Sequence, residues 1–220
     1  MNRTALVAGA SGLVGGHLLQ LLLADAAYAR VITLARRQLD ARHAKLDQRV
    51  LDLGALDAVA DPPHVDDAFC CIGTTIKKAG SQEAFRRVDH DYVLAFARAG
   101  QRAGARQFLL VSALGADPAS RIFYSRVKGE IEQAVRQLPY EGIQIFRPSF
   151  LMGERTEVRV AERIGVPIAR ALAPLLFGPL RRYRPIDSAN VARAMVQIAK
   201  EAPRGPNVFE YDGIVAAARS

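Results

Sequence analysis

The stretch SALGADPASRIFYSRVKGE, residues 112–130, brings together three side chains suited to proton transfer. Tyr124 and Lys128 are four residues apart, so on a helix they share one face. Ser112 lies twelve residues before Tyr124, at the end of an apolar, strand-like run. A phenol is a weak acid near neutral pH, with a reference pKa of about 10. A lysine ammonium beside it favours the phenolate. Tyr124 is therefore read as exchanging a proton with a carbonyl or an alcohol, while Ser112 fixes the oxygen. Y-x-x-x-K is common by chance on helices. Its weight here comes from the serine upstream and from a second motif at the start of the chain.

That motif is ALVAGASGLVGGHLL, residues 5–19, in which Gly9, Gly12 and Gly15 are three apart. Thr4 to Ala8 reads as a buried strand, and Val14, Leu18, Leu21 and Leu22 follow helical spacing. Strand, glycine turn and helix start bring free backbone N–H groups and the positive end of a helix dipole to one point. Gly9 allows the tight turn, Gly12 the approach of a pyrophosphate, and Gly15 close packing of helix on strand. The cofactor-binding turn accordingly runs over Gly9, Ser11, Gly12, Leu13, Val14 and Gly15. A secretory signal is the weaker reading, because the glycines fall where its apolar centre belongs.

About twenty residues further on, a dinucleotide-binding fold places an acid for a ribose 2′-hydroxyl or an arginine for a 2′-phosphate. Here the sequence is LARRQ, with Arg36 and Arg37 and no acid, which points to NADP(H) in preference to NAD(H). Asp52 closes the following strand, either as an acceptor for the adenine amino group or as a loop cap.

The elements that must position these groups alternate along the chain. Strand-like runs are expected at Val31–Leu34, Val50–Leu53, Ala68–Ile72, Phe108–Val111, Ile143–Phe146 and Val208–Tyr211, with helices at Glu83–Arg102 and Ser125–Leu138. Such alternation implies parallel pairing with right-handed crossovers. Continuously apolar strands fit a sheet covered on both faces. The expected fold is α/β, a Rossmann-type doubly wound parallel sheet. It forms a single domain over 1–220, in which residues of about 150–220 make a small C-terminal substrate or lid region. The least regular part, residues 155–184, holds IARALAPLLFGPL and reads as a lid, a dimer surface or an apolar face packed on the cleft edge.

Composition narrows the class. The chain carries 30 basic and 22 acidic residues, a net charge of +8, and is half hydrophobic. The basic residues are dispersed, with RRYR (Arg181 to Arg184) the densest patch, and no nucleic-acid module accompanies them. No specific nucleic-acid partner is expected. No apolar run reaches the roughly 18 residues of a spanning helix; a peripheral membrane contact through residues 168–184 is the less favoured reading of that stretch. The adjacent Cys70 and Cys71 point to opposite faces of a strand and cannot pair, which suggests buried thiols in a reducing, cytoplasmic setting. His17, His43, His64 and His90 are scattered without ligand spacing, so no metal is expected.

Taken with these motifs, GASGLVGGHL, Asp52, YSRVK, FRPSFLMG and the late RPIDSANVARAM resemble the short-chain dehydrogenase/reductase superfamily over nearly the whole chain. CCIGTTIKKAGSQEAFRRVDHDYV with VKGEIE resembles its atypical branch, the Tat-interacting oxidoreductase-like proteins, related to NAD-dependent epimerase/dehydratase proteins. The resemblance implies NADP(H) binding and Ser112, Tyr124 and Lys128 as the active triad. It also implies that Gly73 and Thr74 pass beneath the nicotinamide ribose, and that Pro148 and Ser149 touch the nicotinamide end. The asparagine-rich turn of many relatives is replaced by CIGTT, so their fourth catalytic member has no counterpart at that turn. The short C-terminal part, about 70 residues after Arg147, weakens a sugar-nucleotide substrate. The expected activity is NADP(H)-dependent oxidoreduction of a small carbonyl or alcohol, by a monomer or homodimer. The alternative is a non-catalytic NADP-binding sensor acting through a protein partner, which would not require a complete Ser-Tyr-Lys set.

Overall fold

A computed structural model describes residues 2–58, 63–152 and 177–220. Its main sheet has seven parallel strands in the order β3-β2-β1-β4-β5-β6-β9. These are β1 (Arg3–Ala8), β2 (Tyr28–Ala35), β3 (Leu46–Val50), β4 (Asp67–Cys70), β5 (Gln107–Val111), β6 (Gly142–Phe146) and β9 (Gly205–Phe209). A separate short parallel pair joins β7 (Leu151–Met152) to β8 (Ile186–Asp187). The described helices are α1 (Leu13–Ala24), α2 (Ile76–Ala79), α3 (Gln82–Arg86), α4 (Tyr92–Arg102), α5 (Phe123–Val135), α6 (Ser188–Glu201) and α7 (Tyr211–Ala217).

The apolar runs behave as a doubly covered sheet requires. Along β1, Ala5 and Val7 face one core with Leu18 and Leu22 of α1 and Val191 and Met195 of α6. Leu6 and Ala8 face the other, with Phe96 of α4 and Ile131 and Val135 of α5. Alternate residues are thus buried on opposite faces, and each fully buried Leu or Phe contributes roughly 1.5–3 kcal/mol. The strand order reverses direction between β1 and β4, leaving a crevice at the C-terminal ends of those strands. The glycine turn after β1 and the Cys71–Thr75 loop after β4 meet there.

Several boundaries move. The third strand is Leu46–Val50, not 50–53, so Asp52 stands two residues beyond it. Its half-buried sequence LDQRV lies at the sheet edge and shows little apolar signal. The last strand ends at Phe209, and Tyr211 opens α7. The expected helix 83–102 contains a π-helical turn, Arg87–Asp91, between α3 and α4. The region from 155 to 176 lies outside the described residues, and with it most of the expected lid. Only Phe177 onward is described, where Gly178–Tyr183 forms a 3₁₀ turn.

Candidate active site

The glycine turn is held by contacts that no larger residue would permit. Gly9 has φ +82°, and a Cβ there would lie 2.4 Å from the carbonyl carbon and oxygen of Cys71. A Cβ on Gly15 would lie 2.1 Å from the Gly9 oxygen, so α1 packs directly on the turn. The Gly12 N–H donates to the Gly9 carbonyl at 2.9 Å, and no side chain caps α1. The first N–H groups of a helix have no intrahelical partner, so those at Leu13 and Val14 open the helix as an anion-binding end. Ser11 and Gly12 are exposed, whereas the Val14 side chain is in the core. This is a backbone cradle with room for a pyrophosphate, and it fits a nicotinamide dinucleotide.

Arg36 and Arg37 follow β2 directly, are exposed, and form no ion pair among the described residues. Asp52 is exposed, and its carboxylate accepts the Gly54 N–H at 2.9 Å. That bond caps the start of the 3₁₀ turn Leu53–Ala58.

Tyr124, Lys128 and Glu132 recur every four residues along one face of α5. The half-buried Tyr124 ring packs on Phe85, centroids 5.5 Å apart, and the side chain lines a cleft of about 590 Å³. Ala113, Leu114, Gly115, Arg147, Pro148, Ser149, Arg182 and Glu210 also line it. One turn along, Lys128 is buried with its Nζ 2.7 Å from Oδ1 of the equally buried Asp89. Burial opposes its charge, but Asp89, helped by Tyr124 and Cys70, outweighs that and raises the lysine above its ordinary pKa. The other Asp89 oxygen accepts the Thr74 N–H at 2.8 Å, and Gly73 lies over the pair. The CIGTT turn therefore does meet the lysine, through a carboxylate.

Ser112 is placed otherwise than expected. It is 6% exposed, does not line the cleft, and its hydroxyl donates to Glu132 Oε1 at 2.6 Å. A hydroxyl has one proton to give, and here it goes to a buried carboxylate rather than toward a substrate oxygen. Glu132 in turn grips Arg147 through Nε at 3.0 Å and Nη2 at 2.6 Å. Those bonds hold Arg147 above its ordinary pKa while it forms cleft wall. Pro148 accepts the Leu114 N–H through its carbonyl, and the Ser149 hydroxyl donates to the Arg184 carbonyl.

Asp89, Glu132 and Arg147 were missed by motif reading, although the i, i+4, i+8 spacing of Tyr124, Lys128 and Glu132 was visible. Cys70 is fully buried, and burial pushes its thiol up to about 12. Cys71, just past the strand, is partly buried and also well above the ordinary thiol value because of burial. Among the described residues no group of three His, Cys, Asp or Glu could hold a metal ion, and no helix is long and apolar enough to cross a membrane.

Comparison with known proteins agrees with this arrangement of elements. Residues 5–211 match the family described as NAD dependent epimerase/dehydratase. Protein HTATIP2 of Rattus norvegicus is 38% identical over 165 residues, covering 73% of this chain and 68% of that protein. Protein fmp52, mitochondrial, of Emericella nidulans is 35% identical over 222 residues, covering 96% and 95%. Among solved structures, human epimerase family protein SDR39U1 with NADPH has a TM-score of 0.65 at 17% identity, over 94% of this chain and 74% of that one. MoeE5 in complex with UDP-glucose and NAD has a TM-score of 0.68 at 15% identity, over 98% and 81%. At such identities the structures bear on the fold, which is Rossmann-type. Several fungal relatives are named mitochondrial, and this overturns the expectation of a cytoplasmic setting.

Proposed function

The chain belongs to the NAD dependent epimerase/dehydratase family, and from that premise we propose that it is an NADP(H)-dependent oxidoreductase acting on a small carbonyl or alcohol. The observation that carries this reading is the Tyr124 phenol in the wall of a cleft, with the charged Lys128 one helical turn away. The cleft volume of about 590 Å³ is in the range of small-molecule sites. When bound, the nicotinamide supplies the hydride acceptor or donor.

The chain's own residues do the rest. The Gly9–Gly15 turn and the start of α1 hold the pyrophosphate. Arg36 and Arg37 pair with the 2′-phosphate, which favours NADP(H) over NAD(H). Lys128 and the Gly73–Thr74 loop hold the nicotinamide ribose, and Pro148 and Ser149 border the nicotinamide end. Tyr124 gives its proton to the oxygen of a carbonyl being reduced, or takes one from an alcohol being oxidised. Ser112 acts beneath the cleft, where it braces Glu132 and so keeps Arg147 in the wall.

The experiment is a screen of aldehydes, ketones and quinones with NADPH, followed by Tyr124→Phe on any substrate found. The ring remains while the proton donor is lost, so turnover should fall by about 10²–10⁴-fold with NADPH affinity retained. Full activity in Tyr124→Phe would defeat the assignment. The Ala113–Gly115 wall offers no side-chain hydroxyl, and this favours a second reading, a nucleotide sensor. NADPH binding that alters affinity for a protein partner, with no substrate turned over, would select it.

A further inference from the structure

Asp89 is a carboxylate that the proposed reaction does not consume. Its side chain is 1% exposed, and burying a carboxylate is unfavourable unless it is paired and hydrogen-bonded. Both conditions are met: Oδ1 is 2.7 Å from Lys128 Nζ, and Oδ2 accepts the Thr74 N–H at 2.8 Å. Two further features converge on it. The π-helical turn Arg87–Asp91 interrupts the α3–α4 run at this residue, and such turns recur at functional sites. Gly73 borders the pair, where a Cβ would lie at ordinary contact distance, 3.5 Å from Asp89 Oδ1 and 3.9 Å from Lys128 Nζ.

We propose that Asp89 is a positioning residue, whose carboxylate aims the Lys128 ammonium, keeps it charged in a buried place, and locks it to the Gly73–Thr74 loop. The inference rests on the reading of Lys128 as a cofactor-facing cation. Its consequence is a site with a built-in counter-ion. The lysine keeps its direction and its proton before any cofactor arrives.

The other groups around the pair leave Asp89 as the dominant influence. Cys70 of β4 is a buried thiol on the far side, and Tyr124 is the α5 neighbour. On the cleft side, Arg147 is paired with Glu132, while Arg182, Tyr183 and Glu210 line the opening. Between α3 and α5, Arg86 is paired with Glu130. Without Asp89, only Tyr124 and Cys70 would oppose the effect of burial on Lys128, and its proton would be lost closer to neutrality.

The test is NADPH binding to the full chain, measured by calorimetry between pH 7 and 9.5 for wild type, Asp89→Asn and Lys128→Met. Asparagine can keep an acceptor for the Thr74 N–H, but it removes the charge and places an amide NH2 where the carboxylate oxygen faces Lys128. Wild type should hold its affinity across the range. Asp89→Asn should lose about tenfold or more as pH rises, falling toward Lys128→Met, with a midpoint at least about one unit below any decline in wild type. Parallel profiles for Asp89→Asn and wild type would overturn the inference. A denaturant double-mutant cycle on the unloaded protein supplies a second readout. Asp89→Asn combined with Lys128→Met should be more stable than Asp89→Asn alone, because the unpaired buried charge is gone. Additive losses would also overturn it. If Lys128→Met binds NADPH as wild type does, the cofactor-holding role of Lys128 fails by itself, and the cycle alone decides on Asp89.

Discussion

Gly15 and Gly16 are neighbours on α1, yet alanine should act on them with opposite sign. A Cβ on Gly15 would lie 2.1 Å from the Gly9 oxygen, 2.7 Å from the Gly9 carbon and 3.0 Å from the Ala10 Cα, all of them backbone atoms. Non-bonded heavy atoms settle near 3.5 Å or beyond, so α1 must retreat from the turn by roughly 1–1.5 Å. Overpacking of this kind costs about 1–3 kcal/mol. It also draws the helix N-terminus away from the pyrophosphate, so NADPH should bind at least about tenfold more weakly, or about 1.4 kcal/mol. A Cβ on Gly16 meets only the Ala10 oxygen, at an ordinary 3.7 Å. Gly16→Ala should therefore stabilise the protein by roughly 0.5–1 kcal/mol, the usual gain from reduced backbone freedom in a helix. Denaturant unfolding and NADPH calorimetry on both variants supply the numbers. A Gly15→Ala protein as stable as wild type and equally tight for NADPH would refute the packing argument.

Three further outcomes are expected. Wild type should bind NADPH at least about tenfold tighter than NADH, and Arg36→Glu should erase the difference, since a hydrogen bond to a charged group contributes roughly 1.5–3 kcal/mol; equal affinities in the parent protein count against the 2′-phosphate assignment. Asp67 is buried beside Arg3 and Tyr28, and burial lifts its pKa from 3.8 to about 6. The native state thus holds a proton that the unfolded chain releases, so this contribution to stability is present below about pH 4 and is lost as pH rises to 6. Asp67→Asn should flatten that part of the stability–pH curve, by about 2–3 kcal/mol relative to wild type, and superimposable curves would reject the shift. With Cys70 near 12 and Cys71 also raised, neither thiol should react with a disulfide reagent within minutes in the native protein, and both should after denaturation; rapid native labelling would mean that one of them is accessible as thiolate.

The sheet was legible because its inner strands are apolar without alternation, and parallel sheets buried on both faces demand that. Gly9 and Gly15 were legible because only glycine tolerates their contacts. Boundaries failed where burial is weak. LDQRV at the β3 edge carries no apolar stripe, so the expected strand falls on the more hydrophobic 50–53 instead of 46–50. The surroundings of the site were less legible. VDHD offers two acids, Asp89 and Asp91, and only the π-helical turn decides that Asp89 faces Lys128 while Asp91 stays outside beside His90. Ser112 is assigned from its place at a strand end and from the family resemblance, neither of which reports where its hydroxyl points. Its direction depends on Glu132 and Arg147, which lie 20 and 35 residues downstream and converge only in the fold.

The contact between Gly9 and Cys71 also separates two kinds of freedom to vary. What Gly9 meets is the carbonyl of Cys71, not its sulfur. The path of the peptide at position 71 is therefore fixed, while its partly buried side chain can drift among small residues. Cys70, one step earlier and fully enclosed, has no such latitude. Positions tied through their backbone leave little trace in residue identity. A survey of substitutions across this crevice would thus record Gly9 as intolerant and Cys71 as permissive, though the two are halves of one contact.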